Sequence, residues 1–393
     1  MSIQPLASRM EHVRPSWTLS ISSRARAMKQ EGKDVISLAA GEPDFNTPEP
    51  ICQAAIEAIH QGMTKYTQTQ GVIELRQTIC EKLRKENGIQ AAPDQIVVSC
   101  GAKHSLFNAM MALINPGDEV LLIAPYWLTY HEQVILAGGT PVIVQTSAEQ
   151  FFVPTYDQIQ EKITKRTKAI VINTPNNPTG AVWSRPVLKD IATLALRYGL
   201  WVISDEIYEK LIYEGEHQSI SALGSDIAAQ TITINGCSKT YSMTGWRIGY
   251  SVSSAKIAEA MTTLQDQMTS SATSFAQAGA IAAYQMQGKS LKDMNHEFKA
   301  RRDLMLDGLS QIHSISTVKP CGAFYILVDV GSLLKGEIAD DFQLAGRLLE
   351  EILVATIPGS VFGAPGYLRL SYATSRENIQ KATERFSHAF KPL

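Results

Sequence analysis

From residue 95 to residue 252 the chain alternates two hydrophobic patterns. Short aliphatic, β-branched runs predict strands at Gln95–Ser99, Glu119–Ala124, Pro141–Val144, Ala169–Asn173, Leu200–Ser204, Thr231–Asn235 and Arg247–Val252. Between them, apolar positions three and four apart predict helices at Lys103–Leu113, Tyr130–Ala137 and Arg185–Tyr198. Repeated strand–helix units imply an α/β fold, a mainly parallel sheet with helices on both faces. Upstream, helices are expected at Ser22–Glu31, at Glu49–Gln61 with Thr47 or Asn46 as cap, and at Gly71–Asn87, with Val35–Leu38 a short apolar segment. Downstream, Lys256–Met286 and Ser290–Gln311 read as long helices, followed by Ala323–Val330, a helix at Asp341–Glu351 and a strand at Tyr367–Tyr372. This different texture predicts residues 46–289 as a large domain and residues 1–45 with 290–393 as a smaller α+β domain.

Composition narrows the class. A chain of 393 residues exceeds one ordinary core, which agrees with two domains. Hydrophobic content of 45% with 19% charged residues suits a compact soluble enzyme. The net charge of −2 gives no electrostatic case for nucleic acid or an anionic membrane. The five cysteines are scattered and odd in number, which favours a reducing compartment. No apolar run spans a bilayer, and the first ten residues lack a signal-peptide core, so a cytoplasmic protein is expected. The eight histidines are dispersed, and no metal site is expected.

The chemistry gathers at the carboxyl ends of the predicted strands, where such sheets bind ligands. The first strand runs into Gly101, Ala102 and Lys103, small residues before a helix start that let backbone N–H groups approach an anion. The second runs into Trp127, either a stacking ring for a flat ligand or core filler. The third ends in N-T-P-N-N-P-T-G, a rigid turn that presents Asn177 as an uncharged donor. The fourth ends in S-D-E-I-Y, where Asp205 and Tyr208 follow an apolar run; a buried carboxylate there needs a partner such as a pyridinium nitrogen. Next comes N-G-C-S-K-T-Y-S-M-T-G-W-R-I-G-Y. Burial at the exit of a strand would make Lys239 a neutral nucleophile, and Arg247 suits a phosphate. Aldehyde-binding lysine, phosphate-binding arginine, stacking ring and nitrogen partner are together the handles of pyridoxal 5'-phosphate. G-x-G-x-x-G, P-loop, H-E-x-x-H and G-x-S-x-G signatures are absent.

With these motifs in order, the chain resembles the class I (fold-type I) pyridoxal-phosphate-dependent aminotransferases, from A-G-E-P-D-F at Ala40–Phe45 to R-L-S-Y-A-T-S at Arg369–Ser375. It looks closest to the bacterial and plastid branch of aspartate aminotransferases, some of which also use prephenate. The resemblance implies a homodimer with shared active sites. It makes Lys239 the cofactor-bound lysine and proton shuttle, and Asp205 the partner of the ring nitrogen. Tyr208 and Asn177 bond the ring oxygen, and Trp127 stacks on the ring. Gly101, Ala102, Lys103 and Arg247 surround the phosphate, with Tyr66 reaching the phosphate of the neighbouring subunit. Arg369 clamps the substrate α-carboxylate, with Gly41 and Asn177 assisting.

Two departures bear on the substrate. Another branch carries a serine three residues before the lysine, where this chain has Gly236. That branch also takes the distal carboxylate with an arginine in a region that here, Asp266–Gln277, holds no basic residue. Thr18 and Lys103 match the positions this branch uses instead, although Lys103 also suits the phosphate alone. Arg14 matches a basic position linked to prephenate use. The expected reaction is transamination between L-aspartate and 2-oxoglutarate, with prephenate as a further acceptor. An aromatic or alanine aminotransferase and a lyase on the same fold remain alternatives.

Overall fold

In the computed structural model, residues 6–286 and 289–390 are described. The strands are β1 (Ile36–Ser37), β2 (Ile96–Cys100), β3 (Glu119–Ala124), β4 (Thr140–Gln145), β5 (Thr167–Asn173), β6 (Trp201–Asp205) and β7 (Thr231–Gly236). They continue as β8 (Ile248–Val252), β9 (Ser316–Thr317), β10 (Tyr325–Asp329), β11 (Val354–Ala355), β12 (Ile357–Pro358) and β13 (Tyr367–Ser371). Seven form one sheet in the order β2-β8-β7-β6-β5-β3-β4. Only β8 runs against its neighbours; β2 is antiparallel to β8 and so runs with the rest.

Alternate residues of the parallel strands feed cores on opposite faces. Leu122, Val171, Ile203 and Ile232 pack under helices Ala102–Leu113 and Ala255–Met268, while Leu121, Ile170 and Val202 pack under helix Arg185–Tyr198. Burial on both faces is why these strands read as continuous apolar runs. Each such aliphatic side chain contributes about 1.5–3 kcal/mol. A third core joins Ile207 and Leu211, just after β6, to β10, β13 and helices Lys289–Ser310 and Arg376–Ala389. Two smaller sheets complete the fold: β12-β13-β10-β9, antiparallel, and the parallel pair β1-β11.

Four expected elements come out differently. The stretch 256–286 is two helices, Ala255–Met268 and Ser274–Gln285. Between them Ser270 takes a positive φ of 59° and its N–H turns back to Gln265 O, a left-handed residue and a backbone bond of the kind that ends helices. The first helix begins at Trp17, not Ser22. Pro48 is the N-cap of helix Glu49–His60; the Thr47 hydroxyl instead donates to Ser242 O at 2.6 Å. The helix expected over 71–87 is α-helical from Ile73 to Lys82 and widens to a π-turn at Leu83–Asn87, closed by Gly88 at φ 69°. Helix Arg376–Ala389, capped by Ser375, was not expected at all.

Gly236 and Gly249 face each other across β7 and β8. A Cβ on Gly236 would lie 2.8 Å from Gly249 Cα and Ile248 O; one on Gly249 would strike the backbone of Gly101 and Ala102. The pair therefore lets the helix that starts at Ala102 close onto the sheet. Gly236→Ser is expected to destabilise the protein by about 1–3 kcal/mol through overpacking. Chemical denaturation of the cofactor-free protein checks this; unchanged stability would mean the strands separate freely.

Candidate active site

The carboxyl ends of β2, β3, β5, β6 and β7 converge on a cavity of about 550 Å3. One wall is the N-terminus of helix Ala102–Leu113. Gly101, at φ 87°, precedes it without a side-chain cap, leaving first-turn N–H groups for an anion. Arg247, at φ 57°, leans over Gly101 and donates to Thr244 O at 2.8 Å and Cys100 O at 3.3 Å. Among the described residues no carboxylate pairs with it. Lys103 places its ammonium 4.9 Å from the centre of the Trp127 ring. Burial, then the charge of Arg247, holds its pKa below the ordinary lysine value. Helix end, guanidinium and ammonium make this the anion-binding wall.

Asp205 ends β6 with 2% of its surface exposed. Its carboxylate accepts from Tyr130 Oη at 2.7 Å and from the Ile207 N–H at 3.2 Å. Burial dominates over these donors and pushes its pKa up to about 6. A desolvated carboxylate served by neutral donors fits a cationic ring nitrogen. Asn173, at the end of β5, fixes two neighbours: it donates to Asp205 O at 2.9 Å and accepts from the Asn177 N–H at 2.8 Å.

Lys239 follows β7 and donates from Nζ to Gly41 O. Desolvation is the main cause that brings its pKa down to about 8; Arg247 and Arg369 push the same way, Glu42 and Asp205 against. Its ammonium lies 5.9 Å from the centre of the Tyr208 ring. Tyr208 Oη and Tyr325 Oη share a hydrogen bond of 2.9 Å.

Arg369, on β13, is 1% exposed and pairs with no carboxylate among the described residues. It donates to Asn177 Oδ1 at 3.0 Å and Ala39 O at 3.1 Å and lies 4.4 Å from the centre of the Tyr325 ring, while its Nε has no partner. A buried cation in that state fits an incoming carboxylate.

Of the expected site residues, Thr18, Gly41, Ala102, Lys103, Trp127, Asn177, Asp205, Tyr208, Lys239, Arg247 and Arg369 line this one cavity. Two do not. Tyr66 is 89% exposed, outside the cavity of its own chain. Arg14 is also outside, its backbone N–H on Glu132 Oε2 at 2.9 Å. Tyr130, Asn173 and Tyr325 line the cavity without having been singled out. Tyr130 carried a faint signal, lying one helical turn beyond Trp127. Gly236, where another branch has serine, is fixed by the strand contact above.

Beneath this cavity Glu206, Glu209 and His217 bring ligand atoms within 4.8 Å of one another. Their groups are already engaged: Glu209 with Lys82 and Asn87, Glu206 with Ser204, Ser219 and His217. The Lys82 ammonium holds the place a cation would need. Despite the cost of burial, Lys82 and then His217 bring the Glu209 pKa down to about 2.

A sheet that closes a desolvated lysine, a buried carboxylate and an anion-binding helix end into one cavity defines an enzyme site for a charged, flat cofactor. The chain belongs to the family of class I and II aminotransferases, matching it over residues 33–386. An aspartate aminotransferase of Bacillus sp. (strain YM-2) is 47% identical over 388 residues, covering 98% of this chain and 99% of that one. A probable aspartate/prephenate aminotransferase of Thermus aquaticus is 43% identical over 389 residues, covering 98% and 99%. The structure of the Thermus thermophilus aspartate aminotransferase with maleate superposes with a TM-score of 0.93 at 42% identity, over 98% of this chain and 100% of that one. The Rhizobium meliloti aspartate aminotransferase gives 0.94 at 40% identity, over 99% of both. The mixed sheet with helices on both faces is the fold-type I architecture that the resemblance implied.

The two shifted groups predict how cofactor binding depends on pH. Asp205 has its folded pKa raised, from 3.8 to about 6, so its contribution favours the empty fold at low pH and is lost as pH rises through 6. A cationic ring nitrogen relieves that loss. Lys239 has its folded pKa lowered, from 10.5 to about 8, so the amine becomes available as pH rises through 8. Affinity for pyridoxal phosphate should therefore climb from pH 5 to pH 8.5 in two steps. Asp205→Asn should weaken the lower step, part of which the phosphate's own titration at about pH 6 retains, and keep the upper. Titrations of the cofactor-free protein across that range check it, and a single step in the wild type would contradict the assignment.

Proposed function

We propose that this protein is a pyridoxal-phosphate-dependent transaminase moving the amino group of L-aspartate to 2-oxoglutarate, giving oxaloacetate and L-glutamate. The carrying observation is Arg369, buried, without an anionic partner among the described residues, and lining the same cavity as Lys239. The relatives named aspartate aminotransferase support the choice of amino acid. One takes its name also from prephenate, which this reading keeps as a further acceptor. Arg14, outside the cavity of its own chain, is kept as the basic residue that the resemblance links to that acceptor.

The cofactor, when bound, supplies an electron sink that stabilises negative charge at the substrate Cα. The chain supplies the rest. The helix end at Ala102, with Gly101 leaving room for Arg247, holds the phosphate. Trp127 covers one ring face, and Asp205 keeps the ring nitrogen protonated. Tyr208 and the Asn177 amide donate to the ring oxygen. Arg369 takes the α-carboxylate and orients Cα. Lys239 would take the proton from Cα and return it, as a general base and acid. Gly41 O lies within reach of its amine and can steer it. Lys103 and Thr18 are left for the distal carboxylate. We further read residues 46–289 as the cofactor domain and residues 1–45 with 290–393 as the small domain. The reading includes a cytoplasmic homodimer in which Tyr66 serves the neighbour's phosphate; its exposure supports this.

Two measurements test the proposal. Borohydride reduction of the holoenzyme followed by peptide mapping should place the pyridoxyl group on Lys239, and Lys239→Ala should abolish turnover; a label on another lysine overturns the site. Lys103→Ala separates substrate from phosphate. If Lys103 holds the distal carboxylate, kcat/KM for aspartate and glutamate should fall by about 2–4 kcal/mol, far more than for alanine or phenylalanine. An equal loss across that panel, with looser cofactor, would confine Lys103 to the phosphate and reopen the substrate.

A further inference from the structure

The loop that bears Tyr66 is held in an unusual way. No residue from Thr64 to Gln70 contributes to a hydrophobic core of its own chain. The anchoring comes from beneath, through two fully buried amides and one buried guanidinium. Gln265 Nε2 donates to Thr69 O at 2.7 Å and to Val98 O at 2.9 Å, and its Oε1 accepts from Asn108 at 3.1 Å. Gln277 Nε2 donates to Ala272 O at 2.9 Å and to Thr67 Oγ1 at 3.1 Å, while its Oε1 accepts from the Val72 N–H at 2.8 Å. Arg76 donates to Gln68 Oε1 at 2.7 Å and to Gly71 O at 3.1 Å.

Both N–H bonds of each glutamine are used, and each carbonyl oxygen accepts. Buried amides left unmatched are costly, so a matched set selects one loop conformation over its alternatives. Gly71 adds to this: at φ 94° it leaves space that a Cβ would take, 3.1 Å from Gln277 Oε1. The loop is thus fixed, while the aromatic ring at its tip is 89% exposed and reaches nothing in its own cavity. A rigid loop presenting a bare tyrosine is organised for a partner, because little entropy remains to be lost on contact.

We infer that Gln265, Gln277 and Arg76 are positioning residues for the active site of the neighbouring subunit. They hold the loop so that Tyr66 reaches the partner's cofactor phosphate. This rests on the proposed crossing of Tyr66. It also gives the segment Asp266–Gln277, which lacks a basic residue, a task of its own in this chain.

Hybrid dimers of two differently tagged chains test it, read by the visible band of the lysine-linked cofactor, which only a pocket with Lys239 can give. In the first hybrid a Gln265→Met, Lys239→Ala chain is paired with wild type, so the single live pocket receives its loop from the altered chain. Its pyridoxal phosphate dissociation constant should rise about tenfold, the loss of one hydrogen bond to a charged group. In the second, a Gln265→Met chain is paired with a Lys239→Ala chain; the live pocket receives an intact loop and should bind as wild type. Loss in the second hybrid, or in neither, overturns the inference. Thr67→Val, which removes only the loop's own hydroxyl, is run in the same pairings should Gln265→Met fail to assemble, with about a threefold rise expected in the first hybrid alone and the same overturning outcomes. Tyr66→Phe in the same pairings separates the two readings. If its loss does not follow the loop chain, the crossing itself is wrong. If it does, while the Gln265 and Thr67 variants lose nothing, only the positioning role falls.

Discussion

Asp205 is a carboxylate at the end of a buried strand, and most of the site answers the problem that it creates. Neutral donors from Tyr130 and Ile207 soften its desolvation without removing it, and its pKa stays up near 6. Lys239 shows the opposite imbalance, an amine whose positive form is disfavoured by the same lack of water. Arg369 adds a buried cation without a carboxylate among the described residues. Direct pairing of these three would give ordinary ion pairs and a closed, inert core. They are held apart instead, Asp205 by β6, Lys239 beyond β7 and Arg369 by β13. Each charge is left for a different part of a ligand.

Close backbone packing makes that separation possible. Gly236 and Gly249 allow β7 and β8 to pair where the helix from Ala102 also starts. The helix end then lies beside Arg247, whose guanidinium occupies space that any side chain at position 101 would take. The shape of the proposed phosphate wall therefore depends on three glycines as well as on its charged groups. A larger residue at any of them would move the donors as a unit.

The sheet was legible because its strands are buried on both faces and leave unbroken apolar runs; β3 matched its expected limits, as did helix Arg185–Tyr198 between β5 and β6. Lys239, Asp205, Asn177 and Trp127 were legible because each sits just past such a run. Tyr130 and Tyr325 were not, since an aromatic residue in an apolar stretch looks like core until the group facing its hydroxyl is known. Those partners, Asp205 and Tyr208, lie 75 and 117 residues away in sequence. The break at Ser270 hid for the reverse reason. Threonines and serines after Met268 carried the local signal, but the apolar period resumed so soon that one helix seemed to continue. Helix Arg376–Ala389 should have been found: Ile379, Ala382 and Phe386 lie three and four apart behind a Ser375 cap.

The segment after Met268 also explains how one fold can change the way it reads a second carboxylate. In this chain Gln265 and Gln277 flank that segment, and both are turned inward to hold backbone and loop. Because this segment holds no basic residue, a second carboxylate has to be read from elsewhere in the cavity. In the proposed reading the distal carboxylate is served by Thr18 on the first helix and Lys103 at the phosphate wall, both of which line the cavity. Lys103 suits that position because the helix end and Arg247 already supply donors to the phosphate. Its desolvated ammonium can then turn toward substrate without stripping the cofactor of its hold. In the proposed reading, recognition of the second carboxylate moves onto the N-terminal segment, and the loop segment is left to hold Tyr66.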